Sequence, residues 1–389
     1  MGGFEEEMAI TFNLGLPRMH KEPGERRDFL PKFVARLNYL GANITLEYGY
    51  GSGMRYVEED YRKLSPDVTF ASREETYRQD YVLLLRCPGE AELRLMREGA
   101  CLISMLHYPT RPQRVDLLRS LGIEAISLDS VKDDSGRRLV ENLRSVGWNG
   151  MEAAFRVLQS TYPAPGFGSP DRDPIQVTLM GAGSVGTHVL QAAVRYGDDK
   201  IRKHMASHGI PGVQVTVVDY DITPHEEIMQ RILPRTDILV DATQRPDPNQ
   251  PVIPNGWIAY LPEHAVLLDL SVDPYDCTVD PPYLKGIEGI PQGNLDKYIF
   301  APDDPAFDLL PDCVEATNRR HSVSCYSWPG IYPKECMEVY GRQILPLLRT
   351  LIDVGAVENI DADGRFFERA IARAMLSRTG DALTSGPGG

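Results

Sequence analysis

The residues best suited to chemistry in this chain begin at Ile175, where Ile175-Gln-Val-Thr-Leu-Met180 runs into Gly181-Ala-Gly-Ser-Val-Gly186. A β-branched, apolar run leads into G-x-G-x-x-G, and a helix-compatible segment, Thr187 to Tyr196, follows. In that order each glycine has a task. Gly181 permits the tight turn off the strand, Gly183 lets the backbone approach a pyrophosphate, and Gly186 lets the helix pack closely on the strand. Ser184, Val185 and Gly186 then open a helix whose free N–H groups and positive dipole end suit phosphate. A second feature supports the first. Val213-Gln-Val-Thr-Val-Val218 reads as a short buried strand ending in Asp219, with Tyr220 beside it on the expected cofactor edge. A carboxylate there accepts hydrogen bonds from the adenine-ribose hydroxyls and repels a 2′-phosphate, which favours NAD over NADP. The gap from Gly186 to Asp219 is longer than usual, so Asp198 to Gly212 reads as an insertion after the helix.

Periodicity supplies the elements that must hold these residues. Ala9–Leu14 reads as a strand. Pro31–Leu40 reads as an amphipathic helix with Phe33, Leu37 and Leu40 on one face, ended by Gly41. Further strands are expected at Ile44–Tyr48, Tyr81–Leu85, Leu102–Leu106 and Ala125–Leu128, and helices at Val57–Lys63 and Arg111–Leu121. Tyr81–Leu85 is continuously apolar, as a parallel strand covered on both faces would be. Asn149–Gln159 reads as a helix leading out of this domain, and the proline- and glycine-rich Thr161–Pro174 as a boundary. Beyond it, strands are expected at Gln176–Met180, Val213–Val218, Ile238–Val240 and Val266–Leu270. Helices follow at Ile344–Ile352 and Phe366–Ser377, then a disordered tail from Thr384. Strands alternating with helices mean α/β. The expected architecture is two doubly wound parallel-sheet domains with a cleft between them. A Rossmann nucleotide domain spans 161–344, and a Rossmann-like substrate domain spans 1–160, completed by 345–389.

Bulk properties narrow the function. At 389 residues the chain exceeds one usual core. A net charge of −14 argues against nucleic acid or an anionic membrane as partner. There is no apolar run long enough for a membrane span, and the acidic start, MGGFEEEM, lacks the apolar core of a signal peptide. The cysteines at 87, 101, 277, 313, 325 and 336 are scattered without C-x-x-C, which suits a reducing cytoplasm. Cys313, His321, Cys325 and Cys336 match no compact zinc template, so no metal is expected.

Several further segments resemble the alanine dehydrogenase and transhydrogenase-type family, which includes fungal-type saccharopine dehydrogenases. The resemblance is distant and runs from about Gly15 to Leu351. In Gly15-Leu-Pro…Glu25-Arg26-Arg27-Asp-Phe-Leu-Pro31, the resemblance implies an arginine that binds the substrate carboxylate. Counting back from Pro31 gives Arg26, with Arg27 a close competitor. A planar, permanently charged fork suits that task. Leu83-Leu-Leu-Arg86-Cys-Pro88 resembles a family strand ending in a lysine that holds substrate or helps proton transfer. Arg86 stands in its place, able to clamp a carboxylate or polarise a carbonyl but unable to release a proton.

Leu102-Ile-Ser-Met-Leu-His107 resembles a family strand ending in a histidine near the reacting carbon. A histidine suits proton transfer near neutral pH. Val266-Leu-Leu-Asp-Leu-Ser-Val-Asp273-Pro resembles the strand whose aspartate lies beside the nicotinamide. Asp273 takes that role, and Asp269 reads as structural. Ser327-Trp-Pro-Gly-Ile-Tyr-Pro333 resembles a loop packed over the nicotinamide, and the resemblance places Leu270, Trp328 and Pro329 against the cofactor. Tyr108 and Trp148 are expected as core or cleft wall.

The combined expectation is NAD-linked interconversion of an amino acid, or an N-substituted opine-type amino acid, and a 2-oxo acid. His107, Asp273 and Arg86 would act in catalysis, and Arg26, Arg27 and Arg86 would bind substrate. The extra arginines lean toward an opine-type substrate with two carboxylates. A cytoplasmic location is expected, and a homo-oligomer stays open. An NAD-binding sensor without turnover is the alternative.

Overall fold

The computed structural model describes residues 12–20, 22–245 and 247–378. The strands are β1 (Phe12–Leu16), β2 (Ala42–Glu47), β3 (Thr69–Ala71), β4 (Tyr81–Arg86), β5 (Cys101–Met105), β6 (Glu124–Ser127), β7 (Ile175–Met180), β8 (Val213–Val218), β9 (Ile238–Asp241), β10 (Val266–Asp269), β11 (Ile299–Phe300) and β12 (His321–Ser324). The helices are α1 (Pro31–Tyr39), α2 (Glu58–Arg62), α3 (Arg73–Tyr77), α4 (Glu90–Leu93), α5 (Pro112–Ser120), α6 (Leu143–Thr161), α7 (Ser184–Ala193), α8 (Asp199–Ser207), α9 (Glu226–Ile232), α10 (Pro333–Val354) and α11 (Phe366–Ala372). The first expected strand is observed from Phe12. Its first residues, and the tail from Thr384, lie outside the described residues.

The chain divides into two compact units, one of residues 1–142 with 332–389 and one of residues 143–331. The first unit carries a 6-stranded sheet in the order β3-β2-β1-β4-β5-β6, every pair parallel. Its middle strands are apolar because both faces are covered: Leu83 and Leu85 on one side, Val82 and Leu84 on the other, are all buried. The strand order reverses between β1 and β4. At such a switch point the carboxyl ends of the two strands diverge and leave a crevice.

The second unit carries a 6-stranded sheet in the order β11-β12-β10-β9-β7-β8. Its pairs are parallel except β11 with β12. Its order reverses between β7 and β9. Both units are thus doubly wound α/β sheets, as expected.

Three details differ from the sequence reading. The units divide at 142/143 and 331/332, whereas the composition of Thr161–Pro174 suggested a later boundary. The reason lies in α6. Its buried Met151, Ala154, Phe155 and Leu158 share one core with Ile175, Val177 and Leu179 of β7, so the helix belongs to the second unit. The helix around Ile344–Ile352 extends over all of α10, whose Met337, Ile344 and Leu348 pack in the first unit's core. Finally, β8 is not a buried strand. It forms the sheet edge, and Val217 is 41% exposed. The insertion before it contains α8, capped by the Asp198 side chain, which accepts from the Lys200 N–H.

Candidate active site

In the second unit the chain turns from β7 into α7 through the glycine loop. Gly181 has φ +87°, and a Cβ there would lie 2.9 Å from the Ala242 carbonyl oxygen. A Cβ on Gly186 would lie 2.2 Å from the Gly181 oxygen, so a side chain there would push the helix off the strand. Gly183 is different, because a Cβ there would meet nothing within 4 Å. Protein packing does not require that glycine, whereas close approach of a phosphate group would. Ala182, Gly183 and Ser184 are exposed at the start of α7, whose first N–H groups have no intrahelical acceptor. The Gly181 N–H donates to Val218 O at 3.0 Å, which sets the loop beside the end of β8 and its exposed Asp219 and Tyr220. The Asp219 carboxylate accepts its neighbour's N–H, from Tyr220, at 2.9 Å and is otherwise turned to solvent. An open glycine turn, a helix N-terminus and an exposed carboxylate thus lie side by side.

Around the ends of β9 and β10 lies a buried polar cluster that the sequence reading did not detect. Lys285 is fully buried, and its Nζ donates to Asp269 Oδ2 at 2.8 Å. Ser324 Oγ donates to the same oxygen, and the Val272 N–H donates to Asp269 Oδ1 at 2.8 Å. Burial opposes ionisation of Asp269, but Lys285 and these donors hold its carboxyl below the usual range. Burial, with Asp269 alongside, pushes the neighbouring Asp241 up.

The consequence reaches Asp273. Val272 has φ +59°, a backbone state a β-branched residue rarely adopts. Its bond to Asp269 pins it there and so aims the next residue. Asp273 is 39% exposed and pairs at 2.8 Å with Arg245, which is itself 7% exposed. Trp328 is corrected by this cluster. It is 1% exposed and its Nε1–H donates to Asp269 O, so it is a core residue rather than a wall over a ligand. Pro329 and the Leu270 side chain are buried as well, because Leu270 packs against α6 at Gly150. Trp148 lies between the Arg144 and Arg195 guanidinium groups, 4.6 and 5.6 Å from its ring.

In the first unit a cavity of about 170 Å³ opens at the switch point. Arg18, His20 and Glu22 line it after β1, and Arg86, Cys87 and Glu92 line it from β4 and α4. Arg86 pairs with Glu22 at 3.2 Å. Arg26 and Arg27 stand elsewhere. Arg27 is 2% exposed, and its Nε donates to Glu25 Oε1 at 2.8 Å. Burial works against the Arg27 charge, and Glu25 more than restores it. A guanidinium so enclosed ties the chain together and is not open to substrate. Arg26 turns its Nε back to Gly24 O at 2.9 Å. Counting residues from Pro31 selected these two, but the turn after β1 presents Arg18 to the cavity.

Asp28 lies behind Arg18, with 3.9 Å between its Oδ2 and the Arg18 Nε. Burial pushes its carboxyl up to about 7, despite the Gly51 N–H, Arg18 and the Met19 N–H acting the other way. In the unfolded chain the same group titrates near ~3.9. Between those values the folded state holds the proton more tightly, so this group's contribution falls as pH rises from about 4 to about 7. Asp28→Asn keeps an acceptor for Gly51 and removes the titration. The expected result is a melting temperature that gains on the wild type as pH rises across that window. A constant difference would contradict the assignment.

His107 ends the loop after β5 at φ +52°. Asp129, from the segment after β6, explains both its backbone and its ring. Asp129 Oδ1 accepts the Leu106 and His107 N–H groups at 2.9 and 3.1 Å and the Ser127 hydroxyl at 2.8 Å. Its Oδ2 lies 3.3 Å from His107 Nδ1. Burial opposes ionisation of Asp129, but His107 and these donors hold it well below the usual carboxylate range. With Nδ1–H given to Asp129, Nε2 is the nitrogen left to exchange a proton. Tyr108 is buried, its hydroxyl donating to Ala125 O at 3.0 Å.

Residues 15–146 match the family model described as the alanine dehydrogenase/PNT N-terminal domain. The chain is 22% identical over 291 residues to an alanine dehydrogenase of Mycolicibacterium smegmatis, covering 69% of this chain and 74% of that protein. It is 22% identical over 272 residues to an alanine dehydrogenase of Methanococcus maripaludis, covering 67% and 72%. Its N-terminal third therefore matches the alanine dehydrogenase/PNT N-terminal domain, and the likeness to alanine dehydrogenases extends over about two thirds of the chain. A solved L-alanine dehydrogenase shares its fold, with a TM-score of 0.69, 18% identity and 94% of each chain covered. A transhydrogenase from Sinorhizobium meliloti does so with a TM-score of 0.63, 15% identity and coverage of 92% and 97%.

The positions expected from the resemblance fall into three groups. His107 and Arg86 stand at the carboxyl ends of adjacent strands of the first unit. Asp273 stands after β10 in the second. Arg27, Trp328 and Leu270 are absorbed into cores. Asp129 and Lys285 were missed because each acts through a partner far away in sequence. An acid at the end of the strand after the histidine strand was the one available signal for Asp129. A disulfide between Cys277 and Cys313 corrects the picture of scattered cysteines. They are 36 residues apart, and only the folded loops bring them together. Among the described residues no cluster of His, Cys, Asp and Glu is placed to hold a metal, and no helix is long and apolar enough to cross a membrane.

Proposed function

We propose that this protein is an NAD-dependent oxidoreductase that interconverts an amino acid and a 2-oxo acid. The observation that carries the reading is the His107–Asp129 pair at a strand end of the first unit, because cofactor binding alone would not need it. The relatives named alanine dehydrogenase support the reaction class. The glycine turn fits the cofactor: Gly183 is open, α7 offers its N-terminal N–H groups, and Asp219 can accept both adenine-ribose hydroxyls while opposing a 2′-phosphate.

When bound, NAD supplies the hydride acceptor at the substrate Cα. The remaining work falls to the chain. Arg86 clamps the substrate carboxylate and stays charged throughout. His107 Nε2 takes the proton released as the amine becomes an imine and returns it in the reverse direction. Asp129 stabilises the imidazolium while that proton is held. Asp273, fixed by Val272 and neutralised by Arg245, is a charged orienting group. The opine-type variant, in which the amine comes from a second amino acid, belongs to the same proposal and is favoured by the two arginines of the cavity.

The test is a screen of amino acids with NAD, and of 2-oxo acids with NADH plus ammonia or an amino acid, followed by NADH absorbance. Turnover with none of these pairs would remove the enzyme reading. A non-catalytic NAD sensor would then lead, and one observation already favours it: Arg86, where the resemblance has a lysine that holds substrate or helps proton transfer, is paired with Glu22. The cofactor assignment has its own expected outcome. NADH should bind more tightly than NADPH, and Asp219→Ala should narrow that preference by about tenfold or more, the scale of lost hydrogen bonds to a charged group. Titration of both nucleotides checks it, and an unchanged ratio counts against Asp219.

A further inference from the structure

Cys277 and Cys313 are joined by a disulfide, while Cys87, Cys101, Cys325 and Cys336 are free and buried. Cys277 is exposed and sits on an excursion that leaves β10 at Asp273 and returns at Lys285. Both ends of the excursion are held. Lys285 is buried on Asp269, and Asp273 pairs with Arg245, which donates to the Gln250 and Leu284 carbonyls at 2.7 and 2.6 Å. Asp276 and Tyr283 close its base, each N–H donating to the other's carbonyl at 3.1 and 2.9 Å. The Tyr275 hydroxyl donates to Ile290 O at 3.1 Å. The tip is different. Among the described residues, 277–282 make no hydrogen bond beyond the excursion, and Thr278 bonds back to Asp276. The bridge ties this tip to a firm segment. There Val314 is buried, the Glu315 N–H donates to Glu288 Oε1 at 3.4 Å, and the Asn318 N–H donates to Asn255 Oδ1 at 2.8 Å.

A bridge with an exposed sulfur is open to thiol exchange, and exposed bridges are the labile ones. We infer that the Cys277–Cys313 bond is a redox latch on the Asp273 excursion. Closed, it fixes the tip to the Cys313 segment and so keeps Asp273 on Arg245. A dithiol reductant opens it. One thiolate of the reductant attacks Cys277 Sγ, the S–S bond breaks, and Cys313 leaves as a thiolate that takes up a proton. The second thiol of the reductant then displaces Cys277, which is protonated in turn. Two electrons and two protons have passed to the protein, and the reductant departs as its own disulfide. Exchange with an oxidised carrier disulfide reverses the sequence. Opening removes a cross-link across 36 residues, so the tip gains conformational freedom while Cys313 stays in place. Asp273, partly exposed and close to Cys277 in the chain, is the end that loosens. Lys285, fully buried on Asp269, is the end that stays. The effect on turnover rests on the proposed role of Asp273, whereas release of the tip does not.

The experiment compares the whole folded protein equilibrated with oxidised glutathione and with dithiothreitol. Thiols titrated after unfolding should number four in the first state and six in the second. Amide exchange at Asp276 and Tyr283 should quicken about tenfold or more on reduction, while Val272, held by Asp269, stays within a few-fold. Cys277→Ser in oxidised glutathione should exchange like the reduced wild type and ignore dithiothreitol. Should it fail to fold, Cys313→Ser replaces it, with the same expectation. Turnover, once a substrate is found, should fall several-fold on reduction and recover on reoxidation. Six thiols in oxidised glutathione, a bond that resists dithiothreitol until the protein unfolds, or equal exchange at Asp276 and Tyr283 in both states overturns the inference. Loosening with unchanged turnover upholds the latch and removes Asp273 from the reaction. Loosening with no turnover in either state upholds the latch and removes the dehydrogenase reading.

Discussion

His107→Ala is expected to lower turnover by about 100-fold or more, the usual scale for a lost general acid or base. NADH affinity should stay within a few-fold, because the glycine turn proposed to bind it belongs to the other unit. The structure strengthens this expectation beyond what a histidine at a strand end would justify. A non-glycine residue at φ +52° is a strained state, and Asp129 holds it there through two backbone N–H groups while also meeting the ring. A purely structural histidine 53% exposed on its side chain would not need so much support. Asp129→Asn tests the positioning: it keeps the size, removes the charge and offers the ring an amide of uncertain orientation. Turnover should fall while the protein remains folded. Steady-state kinetics with each variant provide the measurement, and near wild-type turnover in His107→Ala would make the residue structural.

Lys285→Met is expected to destabilise the protein by about 3–5 kcal/mol, the range for a buried pair that loses one partner. Lys285 is 0% exposed and Asp269 1% exposed, so the carboxylate left behind cannot reach water. Its remaining donors, from Ser271, Val272 and Ser324, do not supply a charge. The group must then take up a proton, whereas the wild-type Asp269 is held below the usual carboxylate range. A depressed carboxyl contributes stability above its unfolded value near ~3.9 and loses it as pH falls through the folded value. The gap between wild type and variant should therefore be largest at high pH and shrink as pH falls, from the variant's raised carboxyl down through the wild type's depressed one. Denaturant midpoints across pH measure it. A gap that stays constant into acid, or one of a few tenths of a kcal/mol at neutral pH, would show that the pair does not hold the cluster. Because Asp269 also pins Val272, and Val272 aims Asp273, partial loss of this order should disturb the site before the unit unfolds.

The glycine turn of the second unit was legible in the sequence because its pattern is local. Gly186 is required by Gly181, five residues before it, and the strand before the turn and the helix after it are read from neighbouring side chains. The structure adds the positive φ of Gly181 and its closeness to Ala242, and shows that Asp219 stands at the neighbouring strand end. It also moves β8 to an edge, which its apolar alternation concealed. The substrate half was legible as strands, since the run from Tyr81 to Leu85 must be covered on both faces. Its charged residues were not legible in the same way. An arginine in a sequence has a charge but no address. Arg27 and Arg18 are nine residues apart on the same loop, yet Glu25 encloses one and the turn after β1 turns the other to a cavity.

The sequence by itself determined the doubly wound α/β class, the glycine turn between β7 and α7, the strand-end positions of Arg86 and His107, and the likeness to alanine dehydrogenases. All of these depend on residue type and short-range order. Only the tertiary structure decided which charges are neutralised and which remain available. Asp129 with His107, Lys285 with Asp269, Arg245 with Asp273 and Cys277 with Cys313 are pairs across 16 to 36 residues. Sequence spacing at that range carries no geometry, whereas strand order brings such groups within a hydrogen bond. Inside a low-dielectric core that proximity sets whether a group is charged, where it points and so what it can do.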